Sequence, residues 1–349
     1  MDITYAVRPL DAEVQAAYGR LLPEQDDLVS RGKLEWKFER HPAARGAVAT
    51  ANLDGAIVGM IGFAPTRLRL ADGTRVIAHQ AMDTVVDPVC RGKGAFVGLG
   101  RAFYAAAPEW KSEIAWGFPN ENAAPGWFGK LAWARMGTPP FLVKPLNAGY
   151  FARRVLGGVG ALFDALPLSV IGRPGRANQA VTLERFDARA DALWEAFAAT
   201  IPCAVDRTRD YLNWRLFDHP TARYETRAVY GPDEAMRAFV TTYLADKHGG
   251  RIGYIMEVMH LPGAEADAVM LLKLAIADMR RAKTDAILAW AAPHAPNYRA
   301  YRRAGFLPMP DRIRPIHLYF GGKPLSERTA PVMTGAGDWY LSYLDSDTV

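Results

Sequence analysis

The alternation of apolar and polar positions sets out a series of short strands and helices. Ile3 to Val7 reads as a β-branched strand. Asp11 then caps a helix whose apolar face is Val14, Tyr18, Leu21 and Leu22. Leu34 to Arg40 predicts a second short helix that stops at His41-Pro42. Ala47–Leu53 and Ala56–Pro65 flank Asp54-Gly55, a strong hairpin signal. Thr66–Leu70 and Arg75–Ile77 flank a turn at Ala71-Asp72-Gly73. The stretch from Ala78 to Ala107 predicts a strand to Val86, a glycine loop, and a helix with Phe96, Leu99, Phe103 and Ala107 on one face. Glu113–Phe118 is the next strand, Ala124–Trp133 is helical after Pro125, and Phe141–Lys144 is a further strand.

The second half repeats the first. Leu34-x-Trp36-Lys37 and His41-Pro42 recur as Leu212-x-Trp214-Arg215 and His219-Pro220. Trp116 and Pro119 recur as Trp290 and Pro293, and Phe128–Trp133 recurs as Tyr301–Phe306. Three matches in order at nearly one offset indicate duplication of a whole domain. We expect a first domain at 1–147, a connection at 148–180 and a second domain at 181–349. Val155–Leu166 reads as a helix within the connection.

Composition narrows the class. The chain has 349 residues, enough for about two domains. The net charge of +5 suits an anionic small molecule, but no Lys/Arg block argues for nucleic acid. No run of apolar residues long enough for a membrane span is present, and the first residues do not resemble a signal peptide. Cys90 and Cys203 are the two cysteines and have no metal spacing, so no metal site is expected. A cytoplasmic location follows from these features as an expectation. The oligomeric state stays open, a homodimer included.

The chemistry concentrates in Cys90-Arg91-Gly92-Lys93-Gly94-Ala95. Glycines let a backbone come close to a ligand, amides at a helix N-terminus point outward, and Arg91 and Lys93 add charge. That is a phosphate site, although a plain basic turn has the same local form. The loop is neither GxxxxGK[ST] nor GxGxxG. In context, Val-x-Pro-x-x-Arg-Gly-Lys-Gly-x-Phe after a strand resembles motif A of the GNAT (Gcn5-related) N-acetyltransferases. The family usually has Gly or Ala where this chain has Phe96, with Phe in a subset.

The resemblance implies an α+β fold: two tandem GNAT units, each a mixed, mostly antiparallel sheet flanked by helices. It implies that Arg91, Gly92, Lys93, Gly94, Ala95 and Phe96 hold the diphosphate of acetyl-CoA. Thr84, Val85 and Val86 would pair with its pantetheine arm, and Asn120 and Phe128 would border it. At the repeat offset, Arg91, Gly92, Lys93 and Gly94 become Glu265, Ala266, Asp267 and Ala268. Two anions where phosphates need cations mark the second unit as degenerate.

Acetyl transfer to an amine needs a base, a polarised carbonyl and a proton for the thiolate. Asp83, on the strand before the loop, is the candidate base, and Glu257 is its repeat mate. Strand alternation places His79, Ala81, Asp83 and Val85 on one face. The family's general acid is a tyrosine, but its position in the first unit holds Phe128. Tyr301 keeps the position in the second unit, where a packed aromatic is the other reading. Trp36, His41, Trp214 and His219 are either core or a wall of the acceptor pocket. The acidic C-terminus offers Asp345 and Asp347 to a cationic acceptor, or else is a solvated tail. The expected function is acetyl-CoA-dependent N-acetylation of a small-molecule primary amine, such as an amino sugar or polysaccharide precursor, by direct transfer. The alternatives are a non-catalytic acyl-CoA sensor and a Fem-type aminoacyltransferase.

Overall fold

A computed structural model describes residues 2–25, 32–150, 152 and 180–348. The Val155–Leu166 segment lies outside the described residues. The first half opens with β1 (Thr4–Arg8) and α1 (Ala12–Leu21), where Asp11 Oδ1 accepts from the Val14 amide at 3.0 Å. Such a cap stabilises a helix by about 1 kcal/mol. After α2 (Lys33–Phe38), strands β2 (Ala47–Leu53), β3 (Ala56–Leu70) and β4 (Arg75–Val86) form an antiparallel meander. Asp54 and Gly55 both take positive φ, 51° and 79°, as the two-residue hairpin turn demands. β3 runs unbroken through Pro65, where two strands had been expected. Then come α3 (Ala95–Ala106), β5 (Ile114–Gly117), a wide helical turn at Pro125–Lys130, β6 (Ala134–Gly137) and β7 (Phe141–Pro145).

The second half runs β8 (Ala180–Thr182), α4 (Ala188–Ala198), β9 (Cys203–Val205), α5 (Arg209–Leu216) and β10 (Glu225–Tyr230). It continues with β11 (Met236–Lys247), β12 (Gly250–His260), α6 (Glu265–Arg281), β13 (Ala286–Trp290) and α7 (Tyr298–Arg303). It ends with β14 (Leu307–Pro308), β15 (Phe320–Pro324) and β16 (Trp339–Tyr340).

These strands build two mixed sheets. One has the order β1-β2-β3-β4-β5-β15-β6, with β9 on the end of β3 and β16 on β9; the other has the order β14-β7-β13-β12-β11-β10-β8. The halves exchange strands. β7 runs antiparallel to β13 in the second sheet, and β15 sits between β5 and β6 in the first. One core cluster consequently crosses both sheets and includes Trp116, Trp194, Trp290, Phe320 and Trp339. The aromatic C-terminal stretch is part of it: Trp339, Tyr340, Leu341, Tyr343 and Leu344 are all buried.

Two irregularities shape the site. Strands β4 and β5 pair in parallel only at Ala78–Gln80 with Ile114–Trp116, and beyond that point they part. On its other edge, β4 carries a bulge opposite Met60–Gly62, with Asp83 at φ 49°. The bulge breaks the period of two. His79 stays under α3 against Phe103, centroids 5.4 Å apart, while Asp83 joins Gln80 and Met82 on the opposite side. Strand alternation alone had placed Asp83 with His79.

Candidate active site

The glycine loop forms as its composition requires. Asp87 Oδ1 accepts from the Val89 amide at 2.9 Å and starts a single tight turn at Pro88–Cys90. Gly92 and Gly94 then adopt positive φ, 76° and 82°, a conformation that L side chains resist. Gly94 precedes α3, and no side chain caps that helix. Residues 91–94 are exposed and Ala95 is buried. The Arg91 and Lys93 amides donate within the loop, to Pro88 O at 3.2 Å and Cys90 O at 3.3 Å, which leaves the helix N-terminus and the two cationic side chains to suit a diphosphate. The inward face of α3 is Ala95, Leu99, Gly100 and Phe103. Phe96 is only half buried and meets Trp127 edge-on at 5.1 Å.

Where β4 and β5 part, a cleft of about 770 Å³ opens between them. Thr84, Phe96, Asn120 and Trp127 are among the residues that line it, while Phe128, Val85 and Val86 are not. Val85 and Val86 face their own cores, and their backbones pair with Met60 and Gly59 of β3. Phe128 packs instead against Tyr319, centroids 6.1 Å apart. Asn120 Oδ1 accepts from the Ala123 amide at 3.0 Å and so also holds the turn after β5.

A second cavity of about 420 Å³ joins this cleft, and Gln80, Met82, Asp83, Lys247, Asp347 and Thr348 line both. At the junction, Lys37 Nζ lies 3.1 Å from Asp83 Oδ2 and 3.9 Å from Asp347 Oδ2. The Asp83 side chain is 5 % exposed. Burial pushes its carboxyl pKa up, with the Asp347 charge adding to the effect and Lys37 opposing it.

The far wall of the second cavity is the repeated motif itself. Trp36 and Trp214 stack with centroids 4.3 Å apart and planes 9° from parallel. Each indole N–H donates to the other residue's carbonyl, at 3.0 and 3.1 Å. His41 lies against Trp214 and His219 against Trp36. Both histidines accept a backbone N–H at Nδ1, His41 from Ala43 at 3.1 Å and His219 from Ala222 at 2.9 Å. Burial and nearby cations push each pKa down to about 3, so both rings are neutral. The Trp and His pairs form the pocket wall.

The second unit is closed at each matching place. Glu265 and Asp267 sit in the first turn of α6, where carboxylates satisfy the helix dipole. They are paired with Arg303 and Arg237 at 2.9 and 2.7 Å. Beside β12, the fully buried Asn297 donates to Val258 O at 2.7 Å and to Tyr340 Oη at 2.8 Å. Tyr301 lines neither cavity. It is fully buried against Phe306, with centroids 5.3 Å apart, and burial pushes its pKa far up. Asp345 lines the second cavity, but its Oδ2 is taken by Arg207 Nη2 at 2.7 Å and the Ser342 amide at 2.8 Å. Lys37 belongs to the repeated Leu34-x-Trp36-Lys37 motif, which marked it without giving it a role, and Lys247, which lines both cavities, had no distinguishing pattern in the sequence.

Comparison with known proteins agrees with this architecture. A search of curated proteins returned no match. A GCN5-related N-acetyltransferase from Anabaena variabilis superposes with a TM-score of 0.62 at 12 % identity, covering 93 % of this chain and 73 % of that one. Saccharomyces cerevisiae N-myristoyltransferase with bound myristoyl-CoA gives 0.59 at 14 %, covering 91 % and 82 %. A conserved protein from Enterococcus faecalis gives 0.60 at 14 %, covering 93 % and 73 %. At these identities the likeness establishes the fold. Residues 15–136 match the Acetyltransferase (GNAT) domain family. That match assigns a GNAT acetyltransferase domain to residues 15–136, and the solved structures share the fold over most of the chain.

Proposed function

We propose that the protein transfers an acyl group, acetyl in the simplest case, from acyl-CoA to the primary amine of a small polar molecule, an amino sugar being the class that fits best. Residues 1–147 serve as the acyl-CoA-binding unit and 181–349 as the supporting one. The observation that carries this reading is the junction: a cleft lined by Phe96, just beyond the glycine loop, meets a separate pocket at Asp83. The cleft suits pantetheine, and the diphosphate rests on residues 91–94. The pocket is polar and aromatic together, with Trp36, Trp214, Tyr211 and Tyr243 beside Asp83, Gln80 and Lys37. Aromatic faces with charged and amide groups suit a sugar ring better than a hydrocarbon chain.

In this mechanism the amine attacks the thioester carbonyl while Asp83 takes its proton. A raised pKa makes a carboxylate a better base near neutral pH. An amide on the open edge of β4 polarises the carbonyl. The phenyl ring of Phe128 cannot supply a proton to the leaving thiolate. Tyr104 does not replace it: its hydroxyl accepts from Trp133 Nε1 at 2.7 Å, and it lines neither cavity.

Thiol release from acetyl-CoA, measured across a panel of amino sugars and other primary amines, tests the reading. Turnover with at least one amine is expected. Tight acetyl-CoA binding with no turnover on any amine would select the acyl-CoA sensor, which Phe128 favours. No binding would remove both.

A further inference from the structure

The second unit carries repeat mates of the junction residues. Arg215 follows Lys37 by 178 positions and Glu257 follows Asp83 by 174. In the first unit the mates form an ion pair beside an open pocket. In the second they never meet, because residues 340–346 lie between them. Arg215 donates from Nε to Leu344 O at 3.3 Å and from Nη2 to Ser346 O at 3.0 Å. Glu257 accepts from the Tyr340 hydroxyl and from Ser342 Oγ. Arg207 joins Glu257 to Asp345, at 2.7 Å on each side. The second unit's acceptor position is thus filled by the chain's own C-terminal segment.

That docking has a consequence one residue further on. Asp347 follows the anchored Ser346 and emerges at the junction, lining both cavities. Its side chain is 39 % exposed, and its Oδ2 stands 3.9 Å from Lys37 Nζ, beyond hydrogen-bond reach. Two carboxylates, Asp83 and Asp347, therefore flank one lysine where the acceptor's nitrogen must arrive.

We infer that the second unit serves as a dock for residues 340–346, that Asp347 binds the acceptor's ammonium group, and that Arg215 is the positioning residue for Asp347. The inference rests on the proposed acyl transfer. The bound ammonium loses one proton to solvent to become the attacking amine, Asp347 holds an N–H and orients the lone pair, and Asp83 takes the second proton as the N–C bond forms and the thiolate leaves. It also gives a unit without a phosphate loop a role in the first unit's reaction.

The test uses the full chain, acetyl-CoA and the amine with the highest turnover in the panel above. Asp347→Asn should raise the amine KM about tenfold, the scale of one hydrogen bond to a charged group. The acetyl-CoA KM should stay within about twofold. Arg215→Met should act in the same direction, and Arg215→Lys should recover part of the loss. The double variant should be no worse than the weaker single, because both changes remove one interaction. A readout that fold damage would not move is selectivity: the wild type should bind the amine more tightly than its hydroxyl analogue, and Asp347→Asn should narrow that gap. Should Arg215→Met fail to fold, the Asp347→Asn selectivity decides alone. An unchanged amine KM in Asp347→Asn, or effects of the two substitutions that multiply, overturns the inference while acyl transfer stands. Absence of wild-type turnover removes the acyl-transfer reading and the inference with it.

Discussion

Replacing Arg207 with methionine removes a buried charge that is bonded on several sides. Its side chain is fully buried and contacts Glu257 Oε2, Asp345 Oδ2 and Val205 O, each at 2.7 Å. The guanidinium also lies 4.7 Å from the Tyr340 ring centroid. Methionine fills much of the volume but leaves two buried carboxylates without a cation. Removing one partner of a buried ion pair costs about 3–5 kcal/mol. With an unfolding entropy of ~2.1 cal/mol/K per residue, a chain of this length loses about 4–7 °C in Tm. The loss should depend on pH with a definite sign. Without Arg207, burial holds the Glu257 and Asp345 pKa values still further above their unfolded values of ~4. The folded state then keeps protons that the unfolded chain has released, so stability falls as pH rises through that interval. Scanning calorimetry should show the variant's deficit larger at pH 8 than at pH 5. A Tm within about 2 °C of wild type at pH 8, or equal losses at both pH values, would refute the reasoning.

Three further outcomes follow from the site. Asp83→Asn should lower kcat by about 10²–10⁴, the usual span for a lost general base, and abolish the rise of rate with pH on the acid side; an unchanged pH profile would assign the proton elsewhere. His41 and His219, held at about 3, should show ring NMR shifts that do not titrate between pH 5 and 8. Because these pKa values lie below the unfolded histidine value, their contribution to stability is present above about pH 6.5 and is lost as pH falls below it. A Cβ at Gly126 would fall 2.5 Å from the Phe96 ring, so Gly126→Val should displace that ring into the cleft and weaken acetyl-CoA binding, which calorimetry would register.

What the sequence revealed depended on how local each cause was. The Asp54-Gly55 hairpin, the Asp11 cap and the loop before α3 are set by residues within a few positions of each other, and they form where their pattern placed them. The duplication was legible because Trp36 and Trp214 recur with their flanking residues, and the structure adds that the two indoles bond reciprocally. Strand exchange was not legible. Phe141–Pro145 has the same apolar pattern whichever sheet it joins, and only its pairing with Ala286–Trp290 decides. The side on which Asp83 lies depends on a bulge, which a period-two reading cannot contain. The fate of the C-terminus turned on Arg207 and Arg215, whose bonds to Asp345 and Ser346 span more than a hundred positions.

Titration calorimetry with acetyl-CoA tests the central claim most directly, namely that residues 91–94 hold a diphosphate at the mouth of the β4–β5 cleft. The account predicts saturable binding to the wild-type protein, and binding weakened by about tenfold or more when Arg91 and Lys93 are both replaced by alanine, since each phosphate contact to a charged group contributes about 1.5–3 kcal/mol. Wild-type protein that gives no binding heat with acetyl-CoA, or a double variant that binds it as tightly as the wild type, would contradict it.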